Sequence, residues 1–289
     1  MSVFAISGDQ DALFYEHRPP SGDKGATFVF FNALTGDTGA WEADIGPALR
    51  EEGHGTLMWN FRGQKDSPFS DPEAISAGGI VADAKRLIQD LAPQRPVYVG
   101  LSIGGLFAAQ VHLGGAPYEG SAPNGGGSPS VGGPPCEGLL FINTLRKPGP
   151  RLDWTNRAAH RAALVGGGRL IQDLMLPHLT GPSWQAINSG NFLSDEAYEP
   201  LPPDSGPARL LAAGIVADWN IIYEKLDMPV TVLSGLQDHI FYNAGDVAEL
   251  TKRLPNVETI DIADIGHLVT MERPAAITRA CLALVDRLD

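Results

Sequence analysis

The stretch Pro96-Val97-Tyr98-Val99-Gly100-Leu101-Ser102-Ile103-Gly104-Gly105-Leu106-Phe107-Ala108-Ala109 decides how this chain folds. Residues 97–101 form an apolar run of strand length, and residues 103–113 carry a helical pattern of small and apolar side chains. The two meet at Gly100-Leu101-Ser102-Ile103-Gly104, where a serine is held on a tight, strained turn. Gly100 and Gly104 lack side chains because strand and helix must approach closely there. The Ser102 hydroxyl then projects above the sheet, at the positive end of a helix. Gly-x-Ser-x-Gly also arises by chance in a chain with 34 glycines, and it is the flanking strand and helix that make this copy read as a nucleophile corner. Between Pro96 and Tyr118 there is no Asp, Glu, Lys or Arg, yet the glycines, Ser102, Gln110 and His112 divide the stretch into strand, turn and helix. A bilayer span is the weaker reading.

Outward from this corner, β-rich runs alternate with helical ones. Residues 3–6 and 12–17 flank a Gly8-Asp9-Gln10 turn and read as a hairpin. Residues 27–32 (TFVFFN), 56–61 (TLMWNF) and 138–143 (GLLFIN) are continuous apolar strands of the kind buried on both faces. Residues 41–52 read as one helix, and Ile80, Ala84, Leu87, Ile88 and Leu91 recur with a helical period over 80–91. From Lys147 to about Leu226 the pattern turns irregularly helical and rich in proline. Alternation then resumes with a strand over 230–234, a helix over 244–253, the strand Val257–Ile262 and a closing helix over 274–288. The expected class is α/β, a mostly parallel, doubly wound sheet with helices on both faces. A core of residues 1–146 and 227–289 would carry residues 147–226 as a helical cap after the sixth strand, over the strand ends where ligands bind. Residues 114–137, rich in Gly and Pro, read as a mobile surface insertion.

Composition narrows the function classes. At 289 residues and 43% hydrophobic content the chain can bury a large core, and its net charge of −13 argues against nucleic acid and anionic membranes as partners. Cys136 and Cys281 give neither a disulfide framework nor zinc spacing. The first residues show no basic and apolar signal pattern, so a cytoplasmic location is expected. No phosphate loop, dinucleotide turn or His/Cys cluster occurs, so neither metal nor organic cofactor is expected.

A serine hydroxyl needs a base to take its proton. In this chain order the histidine belongs after the last strand, where His267 stands in Asp261-Ile262-Ala263-Asp264-Ile265-Gly266-His267. The acid that orients it is expected just after residues 230–233, at Asp238, with Asp264 in reserve. Asn143, after the preceding strand, is less suitable. Two backbone amides should receive the oxyanion: Ile103, after the serine, and Leu34 in Asn32-Ala33-Leu34-Thr35-Gly36, with Ala33 the alternative. Trp154, Trp184, Phe192 and Trp219 either line an apolar pocket or pack the helical segment onto the core.

With these residues in place, the chain resembles α/β-hydrolase fold proteins with a helical cap. Asn60-Phe61-Arg62-Gly63-Gln64-Lys65-Asp66-Ser67 is similar to that family's Asp-x-Arg-Gly-x-Gly-x-Ser turn, and His267 with Glu272-Arg273-Pro274 is similar to its His-x4-Glu-x-Pro ending. Asn60 and Gln64 depart from the pattern. Asn32-Ala33-Leu34 with Trp41, the Gly100–Gly105 run and Asn143-Thr144 resemble the 3-oxoadipate enol-lactonase-like group. The resemblance implies a serine hydrolase with Ser102, His267 and Asp238 as its triad. Its substrate would be a small carboxylic ester or lactone, cleaved through an acyl-enzyme. A carbon–carbon hydrolase, a perhydrolase or a ligand-binding protein on the same fold are the alternatives. Homo-oligomerisation stays open.

Overall fold

The computed structural model describes residues 2–7, 11–114, 133–134, 136–191 and 195–288. Its strands are β1 (Ser2–Ser7), β2 (Asp11–Arg18), β3 (Thr27–Phe31), β4 (Gly55–Trp59), β5 (Pro96–Leu101), β6 (Gly138–Ile142), β7 (Val230–Gly235) and β8 (Val257–Ile262). Among the described residues they form one sheet in the order β1-β2-β4-β3-β5-β6-β7-β8. β1 and β2 are antiparallel, β2 is antiparallel to β4, and every later neighbour pair is parallel.

The apolar strand runs are explained by what covers them. Val29, Phe31, Leu57, Trp59, Tyr98 and Phe141 point into one core, and Phe28, Phe30, Met58, Val97, Val99 and Ile142 into the other. Alternate side chains of one strand thus face opposite ways, and both faces are dry. The covering helices α1 (Gly39–Glu42), α2 (Ile45–Glu51), α3 (Ala77–Leu91) and α4 (Ile103–His112) come from the first half of the chain. Between β6 and β7 run α5 (Pro150–Leu179), α6 (Pro182–Asn188) and α7 (Gly206–Ile215), followed later by α8 (Ala244–Thr251), α9 (Val269–Glu272) and α10 (Pro274–Val285). Residues of α3 and α4 fill the first core, those of α1, α2 and α10 the second.

Two elements differ from expectation. Residues 41–52 are not one helix: Asp44 leaves the helical region (φ −134°), separating α1 from α2. The long α5 is bent, with Gly166 and Gly167 outside helical geometry and Gly167 at φ 68°, a conformation that suits glycine. Residues of its two arms, 150–165 and 168–179, line one groove between them. Residues 8–10, 115–132, 135 and 192–194 lie outside the described residues. They include the predicted hairpin turn, most of the 114–137 insertion and Phe192. Among the described residues no helix is long and apolar enough to cross a membrane.

The sheet order also places the site. After β3 the chain moves to β4 on one side, then crosses to β5 on the other. Parallel strands that part in this way leave a crevice at their carboxyl ends. Asn32-Ala33-Leu34 leaves β3 on one side of it and Ser102 leaves β5 on the other.

Candidate active site

Ser102 stands between β5 and α4 at φ 58° and ψ −123°, unusual for a side chain with a Cβ and costing about 1–3 kcal/mol. Its surroundings hold it there. The Ser102 amide donates to Ile142 O at 2.8 Å, and the Thr144 hydroxyl donates to Ser102 O at 2.9 Å. A Cβ at Gly104 would run into Phe31 O and Asn32 O, and one at Gly100 into the backbone of Gly105. Both glycines are thus required by close approach.

Asp238 follows β7 in a loop whose amides turn toward its carboxylate. Oδ1 accepts from Ile240 N at 3.1 Å and Phe241 N at 2.9 Å, while Oδ2 lies 2.6 Å from His267 Nδ1. Burial pushes the Asp238 carboxyl up, but the charge and hydrogen bond of His267 and the Phe241 amide outweigh it and hold the group below its usual range. Asp264 is instead paired with Arg273, at 2.6 and 3.0 Å, with both side chains about half exposed. The imidazole is fixed from behind as well. His267 N donates to Leu179 O at 2.6 Å, and Asn143 Nδ2 donates to Gly266 O and His267 O at 3.1 and 2.9 Å. Asn143 Oδ1 accepts from Gly235 N at 2.7 Å, tying the end of β7 to the histidine loop. An aspartate at 143 would accept the last bond and lose the other two.

The loop after β3 is held by amide side chains. Gln64 Nε2 donates to Ala33 O at 2.8 Å and Leu34 O at 3.3 Å, while its Oε1 accepts from Phe61 N and Asn32 Nδ2. Asn32 Oδ1 accepts from the Trp41 indole at 2.7 Å. Asn60 accepts from Thr38 N and donates to Lys65 O, so both departures from the turn pattern are satisfied buried amides. The amides of Leu34 and Ile103 donate to no group among the described residues.

Ser102, His267, Leu34 and Ile103 line one cavity of about 130 Å³, otherwise walled mainly by apolar side chains. Thr35, Asn156 and Arg146 are polar members of that wall, and Arg146 brings a guanidinium to it. This arginine is 6% exposed, and its Nη2 donates to Ser102 Oγ at 3.0 Å and to Asn143 O at 2.8 Å. Its guanidinium carbon lies over the rings of Trp219 and Phe241, 4.7 and 4.5 Å from their centres. Burial pushes Arg146 down to about 10, with Asp238 pulling the other way. No group of His, Cys, Asp and Glu side chains among the described residues is arranged to hold a metal ion.

A model of the Alpha/beta hydrolase family matches residues 28–280. The chain belongs to that family. A relative named "Putative carbamate hydrolase RutD", from Pseudomonas savastanoi pv. phaseolicola, is 21% identical over 277 residues, 95% of this chain and 99% of its own. The enol-lactonase from Burkholderia xenovorans LB400 superposes with a TM-score of 0.73 at 19% identity, covering 99% of this chain and 100% of that one. A thermophilic esterase from Thermogutta terrifontis, solved with malate bound, gives 0.73 at 20% identity over 96% and 94% of the two chains. These likenesses extend across the whole α/β-hydrolase fold.

Within this hydrolase the structure gathers Ser102, His267, Leu34, Ile103 and Trp219 around one cavity and sets Asp238 against His267. It separates the other aromatic candidates. Trp154 is 77% exposed and lines an outer groove on α5, and Trp184 borders a separate crevice near Thr180. Neither lines the cavity that Ser102 opens onto. Arg146 was not legible as a site residue, because Arg146-Lys147 after a strand looks like an ordinary solvated basic pair.

Proposed function

We propose that this hydrolase cleaves a small carboxylic ester or lactone through an acyl-enzyme on Ser102. The observation that carries the reading is the buried His267–Asp238 pair, 2.6 Å apart, opening onto the same cavity as a serine held in strained backbone geometry. His267 accepts the Ser102 proton as Oγ bonds to the substrate carbonyl carbon. It returns that proton to the leaving oxygen as the carbon–oxygen bond breaks. Water then repeats the sequence and frees the acid. Asp238 keeps the imidazole in the tautomer that presents Nε2 to the serine and stabilises its charged form. The unengaged amides of Ile103 and Leu34 are the candidate oxyanion donors, with Gln64 fixing the second. Residues 147–226 act in this reading as a cap, closing the cavity from α5 and α7 over a core of 1–146 and 227–289. The names of the enol-lactonase and esterase neighbours agree with ester or lactone cleavage.

Hydrolysis of p-nitrophenyl esters from acetyl to dodecanoyl, and of small lactones, tests it with wild type beside Ser102→Ala. We expect turnover on short-chain members and a loss of at least three orders of magnitude in the variant. Residual activity within about tenfold of wild type would remove Ser102 from the chemistry.

A further inference from the structure

The cavity at Ser102 leaves little room beyond the atoms that react. At about 130 Å³ it falls below the roughly 300–1,000 Å³ of small-molecule sites, whereas the groove between the two arms of α5 measures about 680 Å³. Ala159 on the first arm, and Ile171 and Met175 on the second, line both, so the two spaces meet at these three side chains. Farther out, the groove carries Trp154 on one arm and Leu174 on the other, 77% and 57% exposed. Large apolar side chains on both walls of a slot open to water favour an apolar occupant that covers them.

Which half of a substrate would enter follows from the proton. His267 must return the Ser102 proton to the leaving oxygen, so that oxygen lies on the histidine side of the carbonyl. The groove is on the same side. His239, in its wall, directly follows Asp238 and donates from its amide to the O of His178, another wall residue, at 2.9 Å. The residue after His178 is Leu179, whose O accepts the His267 amide at 2.6 Å. The oxyanion donors stand under α7 instead, where a Cβ at Gly214 would run into the Leu34 side chain and touch that of Ile103.

We propose that the groove between the arms of α5 is the subsite for the alcohol half of the substrate, making the preferred substrates esters of a short acid with a long apolar or aromatic alcohol. The short acyl group occupies the Ser102 cavity. The alcohol passes between Ala159 and Met175, whose unbranched side chain can change rotamer to admit it, and lies against Trp154. Lactones that suit the site carry their apolar group on the carbon bonded to the ring oxygen, because that carbon faces the same way as an alcohol.

The inference rests on Ser102 as nucleophile, and its test keeps the two apart. Hexyl acetate and ethyl hexanoate are isomers that differ only in which side of the ester carries the long chain. Their hydrolysis is followed in a pH-stat beside Ser102→Ala. Wild type should favour hexyl acetate by roughly tenfold or more in kcat/KM. Trp154→Ala should lower that preference by roughly 5- to 30-fold, chiefly through the KM for hexyl acetate. Ala159→Phe, which narrows the junction, should lower it further; Trp154 is on the surface, so its variant decides the matter if the Ala159 variant does not fold. Ser102-dependent hydrolysis with no preference for hexyl acetate, or with a preference that Trp154→Ala leaves unchanged, would overturn the alcohol subsite and leave the serine mechanism standing. Should neither ester turn over, saturation-transfer NMR with 1-hexanol reads the groove directly. Binding lost in Trp154→Ala would then uphold the groove and overturn the hydrolytic reading; no binding, or binding that the variant keeps, would overturn both.

Discussion

Single side chains here carry more than their type suggests. Gln64 accepts two hydrogen bonds and donates two, all inside the protein, and fixes the backbone of Ala33 and Leu34. Gln64→Leu would orphan those partners at about 1–3 kcal/mol for each group left buried and unmade. We expect urea unfolding to show a loss of about 2–4 kcal/mol and kcat to fall with it, since the Leu34 amide loses its support. Asp238 makes a pH argument. Its folded pKa lies below the usual 3.8, so its contribution to stability is fully present above that value and is lost as pH falls through the folded one. Asp238→Asn should lower kcat by about 10⁴, and the stability gap between wild type and variant should narrow as unfolding is repeated from pH 5 down to pH 3. The serine, histidine and aspartate that the structure brings to one place could be picked out because each follows a strand in the chain order expected of such a site. Arg146 was hidden because its burial comes from Trp219 and Phe241, 73 and 95 positions away, and no local pattern announces a cation enclosed by distant rings.

At the scale of elements, strand runs, the serine corner and the helical character of the segment between β6 and β7 were readable from sequence pattern, whereas the arrangement of that segment's helices was not. The bend at Gly166-Gly167 brings both arms of α5 to the groove that Trp154 lines, and a triplet of glycines reads equally well as a loop. What joins this segment to the histidine loop is also long-range. The end of α5 accepts the His267 amide at Leu179 O, and the Glu272 carboxylate accepts from Gly181 N at 2.6 Å and Gly266 N at 2.9 Å. One acidic side chain thus staples the start of α6 to the turn that carries His267. The Glu-x-Pro ending visible in the sequence has this physical content. Glu272→Ala leaves both amides without their acceptor and should cost about 2–4 kcal/mol in chemical denaturation. Because His267 loses its fixed backbone, kcat should drop more than KM rises; an unchanged kcat would show that Asn143 holds the loop alone.

For the whole molecule, the question is whether the two cores on either face of the sheet stand or fall together. Continuous apolar strands made both faces predictable, since a run such as Phe28-Val29-Phe30-Phe31 must send side chains both ways. The free cysteines report on the two faces separately. Cys136 belongs to the core covered by α3 and α4, and Cys281, in α10, to the opposite one. Burial pushes the Cys136 thiol up to about 12 and Cys281 higher still, so neither is available as thiolate in the native protein. A thiol reagent can therefore label each only when its own face opens. In Cys136→Ser and Cys281→Ser variants the remaining thiol should be inert in native buffer. Below the unfolding midpoint in urea the two should react with the same rate constant. The sheet is shared by both cores and its central strands contribute to each, so neither face can lose its packing without exposing strands the other depends on. A Cys281 rate well ahead of Cys136 would instead mean that α10 leaves the sheet by itself, and the cooperative unit would then be the first core alone.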